Sequence, residues 1–253
     1  MKHHAQKLLL VALLLGLWEL VARLGIWSPH LLPGPMTVAR SLAAMLADGR
    51  LVGAAGRSLG RLARAYLISV ALGVPLGLLI SRIPFFRNAV KPVVMGLQAL
   101  PSICWLPLAL LWFGLTDGAI LFVVVMGSVL AIAIATEDSV NGVDPQLTQV
   151  ASTLGVRGLR FHFGVLLPAA LPGIVTGLKL GWSFAWRALL AGELLFVSGG
   201  LGQLLTVGRE LMDVPQVMAV MVAIVVIGTA VDRVLFQTVE VRLRRRWGLT
   251  VTA

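Results

Sequence analysis

The residues best placed to do chemistry in this chain are charged and polar side chains set inside apolar runs. Arg187 lies within GLKLGWSFAWRALLAGELL, Gly177–Leu195. A charge at the centre of a bilayer costs about 2.5–3.5 kcal/mol even on lenient scales, so an arginine there must face protein or water, where its guanidinium can hold an anion. Trp182 and Trp186 precede it, Trp186 adjacent in sequence but on a different helical face. Glu193, six residues on, is poorly spaced for a pair within one helix. A partner on another helix is the first expectation for both charges, with contact to a passing solute as the alternative. A second group, Gln98, Ser102 and Trp105, surrounds Pro101. Backbone groups freed beside a proline can line a polar cavity, or the kink can be satisfied by neighbouring helices. The implied chemistry is binding and passage. The four His (His3, His4, His30, His162) lack metal-ligand spacing, and the single Cys104 excludes an intrachain disulfide.

Hydrophobic residues make up 58% of the chain and charged residues only 13%, with a mean hydropathy of +0.93. Soluble domains sit near half apolar and a quarter charged, so the composition is that of an integral membrane protein. The net charge of +10 does not point to nucleic acid, because the basic residues flank apolar blocks, where they orient helices and meet anionic headgroups.

Six apolar blocks must position these residues. Leu8–Leu24 follows Lys2 and Lys7 like a signal peptide but lacks a small-residue cleavage motif. Glu19 and Arg23 are spaced for an i, i+4 pair on a retained first helix. A polar connection follows, with turns at Ser28-Pro29 and Pro33-Gly34-Pro35. Thr37–Leu46 is predicted to form a short amphipathic helix with Val38, Leu42 and Met45 or Leu46 on one side. Arg57, Arg61 and Arg64 share one helical face leading into a second span, Ala65–Ile80, which ends at the basic stop Arg82, Arg87 and Lys91. The third block, Gln98–Leu115, is broken by Pro101 and Pro107, and the fourth, Ala119–Ala135, ends at Glu137 and Asp138. A fifth span runs from about Leu171 to Val197. Ser198-Gly199-Gly200 then leads to a predicted helix over Leu201–Met212, and the sixth span is Val217–Phe236.

With the N-terminus inside, Lys2, Lys7, Arg82, Arg87, Lys91, Arg157, Arg160, Arg242, Arg244, Arg245 and Arg246 are cytoplasmic. They outnumber the outer Arg40, Arg50, Arg57, Arg61, Arg64 and Arg209, so both termini are expected in the cytoplasm. Lys179 can snorkel to the cytoplasmic surface, and Trp18, Trp27 and Trp247 suit interfacial anchors.

The polar stretch Asp144–Pro172, DPQLTQVASTLGVRGLRFHFGVLLPAALP, lies between two of these blocks. Asp144-Pro145 is a helix start, with a capping oxygen followed by a residue preset for the first turn. Leu147, Val150, Ala151 and Leu154 place one apolar stripe on a short helix that Gly155 ends, and a second short helix runs from Leu159 to Leu167-Pro168. Periodicity alone does not separate a docking surface for another protein from an interfacial loop lying on the bilayer.

This segment resembles the cytoplasmic "EAA" loop of the membrane subunits of binding-protein-dependent ABC importers. That pattern is Glu-Ala-Ala, three residues, Gly, nine residues, an aliphatic residue, any residue, then Leu-Pro. Gly155, Val165, Leu167 and Pro168 keep the spacing, while Gln149-Val150-Ala151 replaces the leading triplet. The Leu32-Pro33-Gly34-Pro35 stretch is similar to one that follows the first helix in that family. LPSICWLPLALLWFGL (Leu100–Leu115) and GLKLGWSFAWRALLAGELL resemble the nitrate/sulfonate/taurine branch. The resemblance implies an all-α integral membrane protein of six transmembrane helices with the type I ABC importer permease fold, in a bacterial inner membrane. It divides the chain into a first helix and external loop (1–53), a permease core (54–240) with its coupling loop (139–170), and a basic cytoplasmic tail (241–253). It implies ATPase coupling through Leu147, Gln149, Val150, Ala151, Leu154, Gly155, Leu167 and Pro168, and a translocation path among Gln98, Ser102, Trp105, Trp182, Trp186, Arg187 and Glu193. The implied partners are a second permease copy, two ATPase subunits and a periplasmic or lipid-anchored substrate-binding protein. The solute is a small anion or small organic molecule. No cofactor is expected on this chain, since it lacks a Gly-x-x-x-x-Gly-Lys-Ser/Thr loop; ATP-Mg belongs to the partner ATPase.

Two other readings remain. An intramembrane enzyme needs a nucleophile with its base, or paired carboxylates, on facing spans, and none of the four His lies within a span. A coupling subunit of a vitamin-type importer uses paired Ala-Arg motifs, of which only Ala63-Arg64 is similar, on the outer side of the predicted topology. An ion-coupled carrier is disfavoured by the absence of a repeated half.

Overall fold

A proline inside an apolar run can break a helix, start one or be absorbed by it, and the computed structural model contains all three. It describes residues 2–28, 30–195 and 199–246. The predicted turn residue Pro29, the end of the fifth span at Val197 and the anchor Trp247 lie outside the described residues. The helices are α1 (Lys2–Arg23), α2 (Pro35–Ala47), α3 (Arg50–Arg82), α4 (Lys91–Gln98), α5 (Leu106–Phe113), α6 (Asp117–Asn141), α7 (Pro145–Thr153), α8 (Gly158–Phe161), α9 (Leu167–Glu193), α10 (Leu201–Glu210), α11 (Val214–Val231) and α12 (Thr238–Arg246). Wider π turns at Phe86–Val90, His162–Leu166 and Asp232–Gln237 continue into α4, α9 and α12.

Among the described residues, four helical stretches are long and apolar enough to cross a membrane: Arg50–Arg82, Asp117–Asn141, His162–Glu193 and Val214–Leu243. Phe86–Gln98 and Ser102–Phe113 form a fifth candidate bent by 100°. This differs from the six separate blocks expected. The third block begins earlier than Gln98, because α4 is its first arm. Pro101 stands at the bend with an extended backbone (ψ 136°), and it has no N–H with which to continue the ladder of α4. Pro107 does not break the second arm but occupies the first turn of α5, where its missing N–H has no helical partner to lose. Pro92 and Pro168 each follow a π turn by two residues, so the carbonyl four residues back (Asn88, Gly164) sits in a widened turn that makes room for the ring. Hence Pro168 is carried within a continuous helix, and Pro172 lies inside α9.

The chain forms two compact units, Met1–Ser58 with Glu193–Ile227, and Leu59–Gly192 with Gly228–Ala253. In the second, α6 is the core helix. Ile120, Val123, Ile132 and Ala133 are fully buried, and Gly73 and Gly77 of α3 and Gly177 and Gly181 of α9 bring backbones close against it. Small residues at such crossings let dispersion replace the hydrophobic force that lipid cannot supply. Ser128 of α6 donates to Ser69 of α3 at 2.8 Å, both fully buried. Glu137 and Asp138 do not end this helix, which continues to Asn141. Glu137 is buried there by an ion pair to Lys91 (2.7 Å) and a hydrogen bond from Asn141 (2.6 Å).

In the first unit, Trp18 of α1 donates to the Pro33 carbonyl at 3.1 Å, and Arg23 pairs with Glu19 at 2.6 Å as its spacing predicts. α2 buries Val38 and Met45, while Leu46 faces out. Gln216 of α11 donates to the Leu204 carbonyl of α10 at 3.1 Å.

Candidate functional sites

Three of the residues singled out in sequence meet in one place within the second unit. Gln98 ends α4, Ser102 follows the Pro101 bend, and Arg187 comes from α9. With Pro101, Gly127, Met126 and Phe184 they line an open cavity of about 290 Å³. Arg187 Nε donates to the Ser183 carbonyl of its own helix at 3.1 Å, and its guanidinium lies 4.8 Å from the Phe184 ring centre. It is exposed and has no carboxylate partner among the described residues, so the expected inter-helix partner is not found. A cation braced by its own helix and an aromatic face can accept an anionic or strongly dipolar group from the cavity.

The tryptophans lie elsewhere. Trp182 is buried against Tyr66 (5.3 Å) and Phe236 (5.8 Å), with the Tyr66 hydroxyl donating to the Leu178 carbonyl at 2.7 Å. Trp186 packs its indole over Gly228, and Trp105 meets Phe122 edge-on at 6.3 Å.

Glu193 does find a partner on another helix. Fully buried in the first unit, its carboxylate accepts from Ser58 Oγ (2.9 and 2.7 Å) and from the Gly202 N–H (3.0 Å), while Ser58 Oγ in turn accepts from the Leu201 N–H (2.8 Å). The carboxylate therefore caps the first turn of α10, satisfying donors that a helix start leaves open. Gly202 is required at this contact, because a Cβ there would run into the Glu193 side chain. Ser58 is not among the residues that spacing singled out, and the expectation of no nucleophile elbow in this chain is corrected by Gly56-Arg57-Ser58-Leu59-Gly60, which has the letters of that motif. Its helical, buried setting beside a carboxylate, with no histidine against it among the described residues, is that of a structural hydroxyl.

Three of the outer arginines, Arg57, Arg61 and Arg64, are also engaged. Arg61, 6% exposed, pairs with Asp117 at 2.8 Å, and Arg64 reaches the same carboxylate at 3.7 Å. Arg57 donates to the Gly199 carbonyl at 2.6 Å. Lys179, expected only to snorkel, lies 3.2 Å from Asp232.

A second candidate site is α7. Asp144 accepts from the Gln146 N–H at 2.8 Å and so caps the helix as predicted. Gly155 takes φ +73° beyond its end, a conformation other residues resist. The apolar stripe splits: Ala151 is buried in its own unit, whereas Leu147, Val150 and Leu154 are 41, 56 and 75% exposed. Gln149 accepts from Ser152 and Thr153 through its backbone carbonyl. Leu167 and Pro168, at the far end of the loop, follow directly on the π turn His162–Leu166 within the continuous helix His162–Glu193. Among the described residues no cluster of His, Cys, Asp or Glu could hold a metal ion.

The model of the family described as "Binding-protein-dependent transport system inner membrane component" matches residues 70–245. A protein named "Probable ABC transporter permease protein" from Brucella melitensis is 31% identical over 228 residues, covering 90% of this chain and 92% of that one. The taurine transport system permease protein of Escherichia coli is 29% identical over 222 residues, covering 86% and 81%. A structure of the MetNI methionine ABC transporter in an inward-facing conformation superimposes with a TM-score of 0.63 at 21% identity, covering 78% of this chain and 95% of that one, a likeness of fold.

Proposed function

The chain belongs to the family of inner-membrane components of binding-protein-dependent transport systems, and from that premise we propose how its two sites divide the work of import. It is the permease subunit of an ABC transporter, a non-catalytic subunit that carries a small solute across the membrane. In our reading α7 is the element through which a separate ATPase moves it. The supporting observation is the pairing of a rigidly delimited helix with an uncovered apolar edge: Asp144 and Gly155 fix its ends, and Leu147, Val150 and Leu154 present their side chains outward. A short amphipathic helix suits a hydrophobic groove on a partner. Closure of two ATPase subunits around ATP-Mg would draw two such helices together, and the rigid helix His162–Glu193 would carry the motion into the membrane.

We assign six spans, counting the four long helices, the bent pair and α1, whose 22 residues extend about 33 Å, enough for a hydrocarbon core of roughly 30 Å. Two permease copies, two ATPases and an external binding protein complete the complex. For the solute we favour a small anion such as a sulfonate, taurine or nitrate. The exposed Arg187 beside Gln98 and Ser102 supports this, as does the likeness to a protein named for taurine transport.

The test of α7 is disulfide or bifunctional crosslinking from Val150→Cys and Leu154→Cys in cells making the presumed partners. The expected product is a covalent adduct with the ATPase subunit, its yield changing with ATP. Adducts with lipid alone would favour the interfacial-loop reading and remove the coupling role. Gly155→Val, which forces a branched side chain into a left-handed backbone, should abolish uptake while leaving the protein in the membrane.

A further inference from the structure

Within the first unit, α10 and α11 enclose an apolar groove that the transport reading does not use. Its volume is about 420 Å³, and Leu194, Leu205, Met212, Val217 and Met221 line it, with Arg209 at the rim. A second groove, lined by Trp18, Met218, Met221, Val222, Val225 and Val226, shares Met221 with the first and continues it along α11. Arg209 is exposed and has no ion-pair partner among the described residues. Its neighbour Glu210 lies about 100° around the helix, and Asp213 is engaged with the Gln216 N–H at 3.0 Å. Met212 takes φ +54°, a left-handed position where glycine is usual after a helix, and its side chain joins the groove wall.

We propose that this track is a binding site for one phospholipid, its phosphate held by Arg209 and one acyl chain lying along α11. Two features choose this occupant. First, the cation sits at one end of the track, beside the turn between α10 and α11, so charge and apolar surface are ordered as in a lipid. Second, the track from Val214 to Val226 extends about 18 Å at the rise of a helix, against roughly 15 Å for half a hydrocarbon core. The track is therefore one leaflet deep. In the topology proposed above, that is the outer leaflet. Three methionines in the wall, unbranched and adaptable, suit a mobile chain.

The full-length protein in bilayer discs, given phosphatidylethanolamine or phosphatidylglycerol with a photoreactive group near the chain end, tests this by peptide mapping of the adducts. Labelling should concentrate on Val217–Val226. Arg209→Ala and the groove-filling Met221→Trp should each reduce it at least fivefold, while Arg209→Lys retains it; the two disruptive variants are read separately, so misfolding of one leaves the other decisive. A diacylglycerol probe carrying the same chain should label this segment no more than other lipid-facing helices. Equal labelling by diacylglycerol, or unchanged labelling in both disruptive variants, would overturn the proposal. Efficient disulfide linkage of two copies through Met212→Cys would overturn it too, by giving the groove to a second permease.

Discussion

Glu193 and Arg187 stand six residues apart on one helix, carry opposite charges, and are treated oppositely by the fold. Glu193 is fully buried, with its carboxylate bonded to Ser58 and to the first turn of α10. Arg187 is exposed in a cavity, where among the described residues the carbonyl and aromatic ring of its own helix steady it. A charge deep in an apolar helix is therefore not one kind of signal. Where neighbouring donors surround it, it organises local structure; where they are missing, its capacity to bind is left for something that arrives.

Breaking that contrast should be most costly at Glu193. Removing its carboxylate with Glu193→Ala leaves the Gly202 N–H and the Ser58 hydroxyl buried without their acceptor. At about 1–3 kcal/mol for each of the two orphaned groups, thermal unfolding in detergent should show a loss of roughly 2–6 kcal/mol. Glu193→Gln, which keeps an acceptor oxygen, should recover most of it, to within about 1 kcal/mol. Equal destabilisation by the two variants would mean that charge, not hydrogen bonding, is what α10 requires. Arg187→Ala should do the reverse: stability within about 0.5 kcal/mol of the parent, but solute-stimulated ATP hydrolysis of the reconstituted complex, with taurine, alkanesulfonates and nitrate as probes, reduced tenfold or more. A melting loss as large as that of Glu193→Ala would erase the distinction. Gln98→Ala should lower the same stimulation only a few fold, since it contributes a dipole where Arg187 contributes a charge.

The smallest effect belongs to Asp48, an exposed carboxylate that separates burial from charge. The backbone N–H of Arg50, then its guanidinium, hold the Asp48 carboxyl below its ordinary value. Because the folded form is the more acidic, its contribution is present above the unfolded value and fades as pH falls below about 4. Asp48→Asn should remove that acid-side slope with little change at neutral pH, as read from melting temperature against pH.

Much of the loop α7 was legible because its signals are local. Asp144-Pro145 and Gly155 act through their own backbone geometry, and both ends of the helix fall where those residues predict. The i, i+4 pair of Glu19 and Arg23 was legible for the same reason. The prolines were only half legible. Pro101 bends the chain by 100°, yet Pro107 and Pro172 leave their helices intact, because a proline's effect depends on whether its position is a first turn or can be accommodated by the helix around it. Nor could spacing show that Arg61 is taken up by Asp117, Lys91 by Glu137 and Lys179 by Asp232, pairs separated by tens of residues.

By itself, then, the order of amino acids determined that this chain is helical, lies in a membrane and carries a capped, glycine-terminated rod between two apolar segments. These follow from composition, period and the conformational limits of single residues. Tertiary structure alone decided which side chains remain available: it buried Ala151 while leaving Val150 and Leu154 uncovered, and enclosed Glu193 while opening a cavity at Arg187. Burial and hydrogen-bond satisfaction are properties of neighbours brought from distant parts of the chain, and no local pattern contains them.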